Sequence, residues 1–277
     1  MRRARGLLGG LLQAGALAAA ALMVALLTLP PLALALRVSP GALLARLAAP
    51  DVTQALRLTL ITTAFSTLLT LALGIPLAYV LVTRRFRGRR LIEALVDLPM
   101  VLPPTVAGAG LLFACGRAGW LGAALHVFGI TLPFTTAAVV MAQTFVAAPF
   151  FISTFVAGLR AVEPRYVEVA TTLRAAPGFV FLRVMLPLAA PSMLAGAGMC
   201  WARALGEFGA TITFAGNLPG VTRTLPLAVY TALQSDLDAA VALAVLLLVV
   251  SLVMLLLLRL FPAGLLSGRS RAPRGAG

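Results

Sequence analysis

Few side chains in this sequence could carry out acid–base, nucleophilic or metal chemistry. The chain contains no lysine, a single histidine (His126) and two cysteines (Cys115 and Cys200). A Cys/His metal site needs more ligands than these, and a phosphate-binding P-loop needs a lysine, so both kinds of site are excluded. The two cysteines lie in apolar runs, where we expect them to be buried and unpaired. The residue types therefore predict neither an enzyme nor a bound cofactor.

Two charged residues inside an apolar stretch, Arg203 and Glu207, are the strongest remaining candidates. They are four residues apart and would share one face of a helix. A charge in a membrane span is costly unless it is paired or faces water. The two residues therefore line a conduit or its outer gate, form a buried pair that holds helices together, or include an interfacial residue that snorkels. Thr211, Thr213 and Asn217 follow closely and offer neutral donors. Weak donors of this kind suit a conduit, because strong binding would trap an ion.

The elements that position these residues are those of an all-α integral membrane protein. The 277 residues are 61% hydrophobic and 11% charged, whereas soluble domains are about 25% charged. Segments near the ~20 apolar residues that cross a bilayer recur along the chain. We expect six transmembrane helices, at about 11–36, 56–82, 95–115, 134–159, 188–214 and 237–261.

The arginines predict how these spans are oriented. Sixteen of them fall at the two ends of the chain, in the 84–94 loop or in the 160–187 loop, and five fall in the other connections. The positive-inside rule therefore places both termini and both loops in the cytoplasm. It also explains the formal net charge of +14 without nucleic acid as a partner. The first apolar segment could be a signal peptide instead, although its length favours a retained helix.

A short, partly polar helix is predicted in the second arginine-rich loop. Pro164 suits its first turn, Glu163 and Glu168 place negative charge towards its start, and Pro177-Gly178 breaks it. By spacing alone, such a helix could simply lie on the membrane surface as an interfacial amphipathic helix.

The same stretch resembles the EAA signature of ABC-importer permeases. That signature runs E-A-A, three residues, G, nine residues, I-x-L-P; here Glu168, Ala170, Val184 and the pair 186–187 stand at the family spacing, while Val169 replaces the second Ala. The resemblance implies a coupling helix that docks on a separate ATPase subunit. The coupling residues that it implies are Glu163, Glu168, Ala170, Thr171, Arg174, Pro177, Gly178 and Pro187.

Arg174 departs from the signature, because it stands where the family usually has glycine. Glycine would permit a left-handed helix cap, which arginine adopts only at a cost. We therefore expect the helix to continue to Pro177.

A second region resembles the permease subunit of molybdate/tungstate ABC importers. The similar blocks are Ala-Leu-Gly-Glu-Phe-Gly-Ala-Thr (204–211), Ala-Gly-Asn (215–217), Thr-Arg-Thr-Leu-Pro (222–226) and Leu-Pro-Met-Val-Leu-Pro-Pro-Thr (98–105). The resemblance covers about residues 55–260 and implies a type I importer permease fold in a bacterial inner membrane. It also implies a homodimer, cytoplasmic ABC ATPase subunits and an extracytoplasmic oxyanion-binding protein. Arg203, Glu207, Thr211, Thr213 and Asn217 would then belong to the translocation pathway or gate.

Two other functions stay open. Sulfate/thiosulfate permeases share a block related to 204–211, so sulfate is an alternative substrate. An ion-coupled secondary carrier would need more intramembrane acids than Glu207 and Asp97.

Three regions are expected along the chain. Residues 1–54 hold the first helix and an external connection, 55–262 hold a five-helix core, and 263–277 form a basic cytoplasmic tail. An external segment, residues 222–238, should form a short surface helix, which either docks the binding protein or packs as an ordinary loop.

Overall fold

The computed structural model describes residues 2–267, and this part of the chain is almost entirely helical. Its helices are α1 (Arg2–Arg37), α2 (Pro40–Leu47), α3 (Pro50–Thr83), α4 (Arg89–Val101), α5 (Pro104–Cys115), α6 (Trp120–His126), α7 (Thr136–Arg160), α8 (Pro164–Thr172), α9 (Pro177–Val180), a π-helical turn (Phe181–Met185), α10 (Leu186–Leu188), α11 (Ala190–Leu205), α12 (Gly209–Phe214), α13 (Leu225–Leu233) and α14 (Leu237–Ser267).

Four helical stretches are long and apolar enough to cross a membrane: Leu12–Arg37, α3, α7 and Leu237–Leu257. Two bent pairs, α4 with α5 and Pro177–Leu188 with α11, raise the number of candidate spans to as many as six. The all-helical membrane fold is therefore confirmed. Helix α14 continues to Ser267, and the remainder of the expected basic tail, residues 268–277, lies outside the described residues.

The third expected span, 95–115, is divided into two helices, and the chain bends by 117° between them. Leu102 and Pro103 between them are extended, with ψ of 133° and 131°. Pro103 and Pro104 lack an N–H donor, and a proline ring disfavours helical geometry in the residue before it. Consecutive prolines therefore turn the chain where average hydropathy predicts one continuous span.

The fifth expected span, 188–214, is also divided. Helix α11 ends at Leu205, and α12 begins only at Gly209. On its other side, α11 is bent by 72° from the preceding segment. Arg203 consequently lies in the last turn of α11, and Glu207 lies just after that helix ends, so the two residues are not on one continuous helix.

Helices α3, α7 and α11 form the centre of the bundle. Phe151 and Phe155 of α7 are fully buried there, and their rings stack with centroids 5.5 Å apart. Gly74 of α3 permits Phe151 to pack closely against that helix, because a Cβ atom at position 74 would lie 2.9 Å from the Phe151 ring. Both cysteines are buried and free, as expected.

The face of α3 that packs into the bundle carries five buried hydroxyl residues: Thr59, Thr62, Thr63, Ser66 and Thr70. Each hydroxyl donates to a carbonyl oxygen three or four residues earlier in α3, over 2.7–3.2 Å. Buried polar groups need a partner, and here the helix itself supplies it. A polar stripe is thus buried without relying on acceptors from other helices.

Helix α5 packs closely against α12, and Gly108 is the residue that permits it. A Cβ atom at Gly108 would lie 2.6 Å from the Ala210 carbonyl oxygen, whereas a Cβ atom at Gly110 meets nothing within 4 Å.

We expect Gly108→Ala to destabilise the protein by about 1–3 kcal/mol, because the packed backbones must move apart. The matched substitution Gly110→Ala should be neutral or slightly stabilising, since alanine is the better helix former. Thermal unfolding in detergent compares the two; equal stabilities would contradict the close packing.

Candidate functional site

Most of the expected coupling residues lie in or next to α8. Glu163 precedes the helix, Pro164 occupies its first turn, and Glu168 and Thr171 are exposed on it. Ala170 alone is buried, and it anchors α8 to the bundle core. The other expected coupling residues, Arg174, Pro177, Gly178 and Pro187, are also exposed.

Helix α8 ends at Thr172, so the expectation that it continues to Pro177 is wrong. Arg174 adopts the left-handed conformation, with φ of 59°. Its N–H donates to the Thr171 carbonyl over 2.9 Å, and the Ala175 N–H donates to the Ala170 carbonyl over 3.1 Å. These two bonds form a Schellman motif, which satisfies the last carbonyls of a helix. The geometry that glycine usually provides is present here despite the arginine.

Arg174 therefore holds a strained backbone conformation that glycine would adopt freely. We expect Arg174→Gly to stabilise the isolated chain by up to about 1–2 kcal/mol, the usual cost of a left-handed non-glycine residue. Arg183 provides the control, because it lies in the π-helical turn and its replacement by glycine should destabilise by about 0.5–1 kcal/mol. Thermal unfolding of both variants measures the difference; a destabilised Arg174→Gly protein would contradict the assignment of strain.

A large open cavity lies beside α8, with a volume of about 980 Å³. Its walls include Tyr166, Val169, Leu173 and Phe179. Leu173 is 78% exposed and Phe179 is 57% exposed. Soluble surfaces rarely leave such apolar groups together in water, so this concave face is suited to a protein partner.

The segment after the cavity returns the chain to the bundle through an irregular turn. The Leu186 N–H donates to the Phe181 carbonyl, five residues earlier. Pro187 follows and has no N–H to donate, which disfavours a regular α-helical continuation. Such π-helical turns are frequent at functional positions.

Arg203 and Glu207 form an ion pair at the break between α11 and α12. Arg203 Nη1 lies 2.7 Å from Glu207 Oε2. The other carboxylate oxygen, Oε1, accepts a hydrogen bond from the Ala210 N–H over 2.8 Å. The Glu207 side chain is only 1% exposed, whereas that of Arg203 is 28% exposed. Glu207 thus caps the start of α12 and leaves the arginine partly accessible.

The three neutral donors near this pair lie in different environments. Thr211 is fully buried, and its hydroxyl has no hydrogen-bond partner in the described part of the chain. Thr213 donates to the Gly209 carbonyl within α12. The Asn217 amide bonds to Thr231 and accepts from Arg223, over 2.8 and 2.9 Å. Thr211 and Thr213 therefore lie on α12, which follows the ion pair in sequence, and Asn217 is held in the loop after it.

The segment at 222–238 forms α13, and it packs onto the bundle through Leu225 and Leu227. The Leu225 N–H donates to Thr59 Oγ1 over 2.7 Å. On the same helix, the Tyr230 ring lies 5.0 Å from the ring of Phe208, a residue of the α11–α12 break. This short helix is thus in direct contact with the break.

An ion pair between α2 and the start of α14 lies at the end of the bundle that carries α13. Arg46 of α2 lies 3.0 Å from Asp236, which precedes α14. The Ala239 N–H, followed by the Arg46 guanidinium, holds the pKa of Asp236 below its usual range. Asp236 therefore stays ionised at neutral pH and can keep this contact.

Two polar features were missed by the sequence analysis. Glu93 of α4 accepts hydrogen bonds from Arg89 and from Arg160, the last residue of α7. Gln143 of α7 is 1% exposed, and its Oε1 has no partner in the described residues. Gln143 could have been identified from the sequence, because it is a polar residue inside an apolar span. The contact between Glu93 and Arg160 joins residues 67 apart in sequence, and no local pattern indicates it.

Comparison with known proteins identifies the family. Residues 70–266 match the family described as "Binding-protein-dependent transport system inner membrane component". The chain belongs to this family. It is accordingly a multi-pass inner membrane protein and a transport component, and permeases of this kind work together with an ATPase and a binding protein.

Individual relatives of the permease agree with this assignment. It is 46% identical to the "Molybdenum transport system permease protein ModB" of Mycobacterium bovis over 84% of this chain and 88% of that protein. It is 36% identical to the "Probable sulfate transport system permease protein cysT" of Nephroselmis olivacea over 75% of this chain and 74% of that protein. A bacterial alginate ABC transporter, solved with an alginate pentasaccharide-bound periplasmic protein, has the same fold. The TM-score is 0.73 at 16% identity, covering 90% of this chain and 92% of that one.

Proposed function

We propose that this permease forms the translocation pathway of an ATP-driven importer of molybdate or tungstate. The observation that carries the proposal is the 46% identity to a molybdenum transport permease over most of both chains. Six spans are few to enclose a path for a dianion, so the functional unit contains two copies of this chain. A separate ATPase subunit hydrolyses ATP, and an extracytoplasmic protein delivers the anion.

The exposed surface around α8 is the docking site for the ATPase in this proposal. It carries the charged residues Glu163 and Glu168 on a short helix, next to the apolar cavity that includes Leu173 and Phe179. An apolar centre with a charged rim is typical of protein interfaces. The Schellman motif at Arg174 fixes where the helix ends and so fixes the shape of this surface. The positive-inside rule assigns this end to the cytoplasm.

The translocation pathway passes the break between α11 and α12. Glu207 would repel an oxyanion, so its role is to position Arg203 and to lower the positive charge that the anion meets. Partly exposed Arg203 then provides a weak contact that releases the ion. Thr211, which is fully buried, and Thr213, which donates to the Gly209 carbonyl, belong to the adjoining helix α12 and do not face the anion in this conformation. The Phe208–Tyr230 contact supports a connection from this break to α13, the external helix available to a binding protein.

Sulfate is the second candidate substrate, because a relative named as a probable sulfate permease is 36% identical to this chain. The test uses the permease with its ATPase and binding protein in liposomes, supplied with molybdate, tungstate or sulfate in turn. Uptake and ATP hydrolysis stimulated by molybdate or tungstate at low concentration would support the proposal. Stimulation by sulfate alone would retain the importer and reject the substrate. Uptake without the ATPase would reject the importer.

A further inference from the structure

Helix α4 is attached to the end of α7 by two polar contacts. Glu93 Oε1 accepts from Arg89 Nε of its own helix over 3.1 Å and also accepts from Arg160 Nη2. One turn further along α4, Asp97 Oδ1 accepts from the Ser153 hydroxyl over 2.7 Å. Helix α4 has no fully buried side chain. Its Ile92 and Val96 pack partly buried against the core, and the two polar contacts add to what orients the helix against α7.

The partner helix ends where the coupling surface begins. Arg160 is the last residue of α7, and α8 starts at Pro164 after only three residues. Only three residues therefore separate α8 from the arginine that bonds to Glu93.

The other half of the bent pair reaches the α11–α12 break. Helix α5 begins at Pro104, and a Cβ atom at Gly209 would lie 2.8 Å from Pro104 Cβ. Gly108, one turn along α5, packs against Ala210, whose N–H is capped by Glu207. The bent pair thus contacts Arg160, at the base of the coupling loop, through α4 and contacts the α11–α12 break through the first half of α5.

We propose that Glu93 is a positioning residue for coupling, which ties α4 to Arg160 so that movement of the coupling loop is transmitted through the α4–α5 pair to the α11–α12 break. This inference rests on the proposed importer function. The Glu93, Arg89 and Arg160 side chains are 30–47% exposed. Exposed ion pairs contribute little to stability. Loss of this contact therefore changes the orientation of α4 without unfolding the protein.

The test measures anion uptake and ATP hydrolysis together in liposomes that contain the complete importer. Glu93→Gln and Glu93→Arg should each lower the number of anions taken up per ATP by up to about five-fold, the population change that a weak network can control. ATP hydrolysis itself should continue. The exchange of both residues, Glu93→Arg with Arg160→Glu, recreates the opposite charges and should restore the ratio. Asp51→Asn, an exposed carboxylate at the other end of the bundle, should leave the ratio unchanged.

The outcomes separate this inference from the function on which it rests. An unchanged ratio in both single Glu93 variants, or a ratio that the charge exchange fails to restore, would overturn the role of Glu93 while uptake still required the ATPase. Uptake that proceeds without the ATPase would instead overturn the importer. Thermal unfolding of each variant checks that folding is retained, so that a lower ratio reports coupling.

Discussion

Replacing Glu168 by arginine is expected to abolish ATP-driven uptake while the permease remains folded. Glu168 is exposed on α8, so reversing its charge disturbs no core packing. At a protein interface, a charge reversal that brings like charges together costs several kcal/mol, and about 3 kcal/mol already weakens docking by roughly 100-fold. Co-purification of the ATPase and anion uptake in liposomes measure the two consequences.

The matched control for this variant is Asp51→Arg, which makes the same change of charge at the start of α3. That position lies at the opposite end of the bundle, so ATPase binding should be preserved. Normal ATPase binding and uptake by the Glu168→Arg protein would show that α8 is not the docking helix.

The second large effect, a loss of stability, is expected at the ion pair between Arg203 and Glu207. Replacing Arg203 by methionine leaves the Glu207 carboxylate, which is only 1% exposed, without its charged partner. Breaking one side of a buried ion pair costs about 3–5 kcal/mol. The double variant Arg203→Met with Glu207→Gln should recover most of this stability, because glutamine keeps an oxygen that can accept from the Ala210 N–H. Thermal unfolding in detergent of the two single variants and the double variant measures the coupling between the residues.

Uptake by the double variant then separates the two roles considered for this pair. If Arg203 serves the passing anion, the stable double variant should transport poorly. If the pair only holds helices together, transport should recover together with stability. A double variant that is no more stable than Arg203→Met would contradict the pairing itself.

Local chemistry explains which parts of this fold could be predicted from the sequence. Long apolar runs predicted the helices that cross the membrane, and Pro164 predicted where α8 begins, because both depend on neighbouring residues. The division of the third span was missed, since a hydropathy average over about 19 residues does not register one extended dipeptide. Pro103 and Pro104 were present in the sequence and could have predicted it.

Other features depend on contacts that the sequence does not display. Arg174 was expected to resist the left-handed conformation, but the paired hydrogen bonds of the Schellman motif and the following Pro177 end the helix regardless. Whether Arg203 and Glu207 touch could not be told from their spacing, and only the structure shows that they pair and that Glu207 also caps α12. Contacts between distant segments, such as Glu93 with Arg160 or Phe208 with Tyr230, follow from how the helices pack.

The hydroxyl stripe of α3 has a consequence for how the helices can move relative to one another. Because the five hydroxyls bond to carbonyls of α3 itself, a shear displacement of a neighbouring helix across this face need not break those bonds. Few hydrogen bonds cross from this stripe to other helices; two of them run from Trp201 to Thr63 and from Leu225 to Thr59. Shear of packed helices is one of the motions by which proteins change between two states. The stripe gives α3 a polar but internally satisfied surface, which lowers the enthalpic barrier to such sliding while the bundle stays packed.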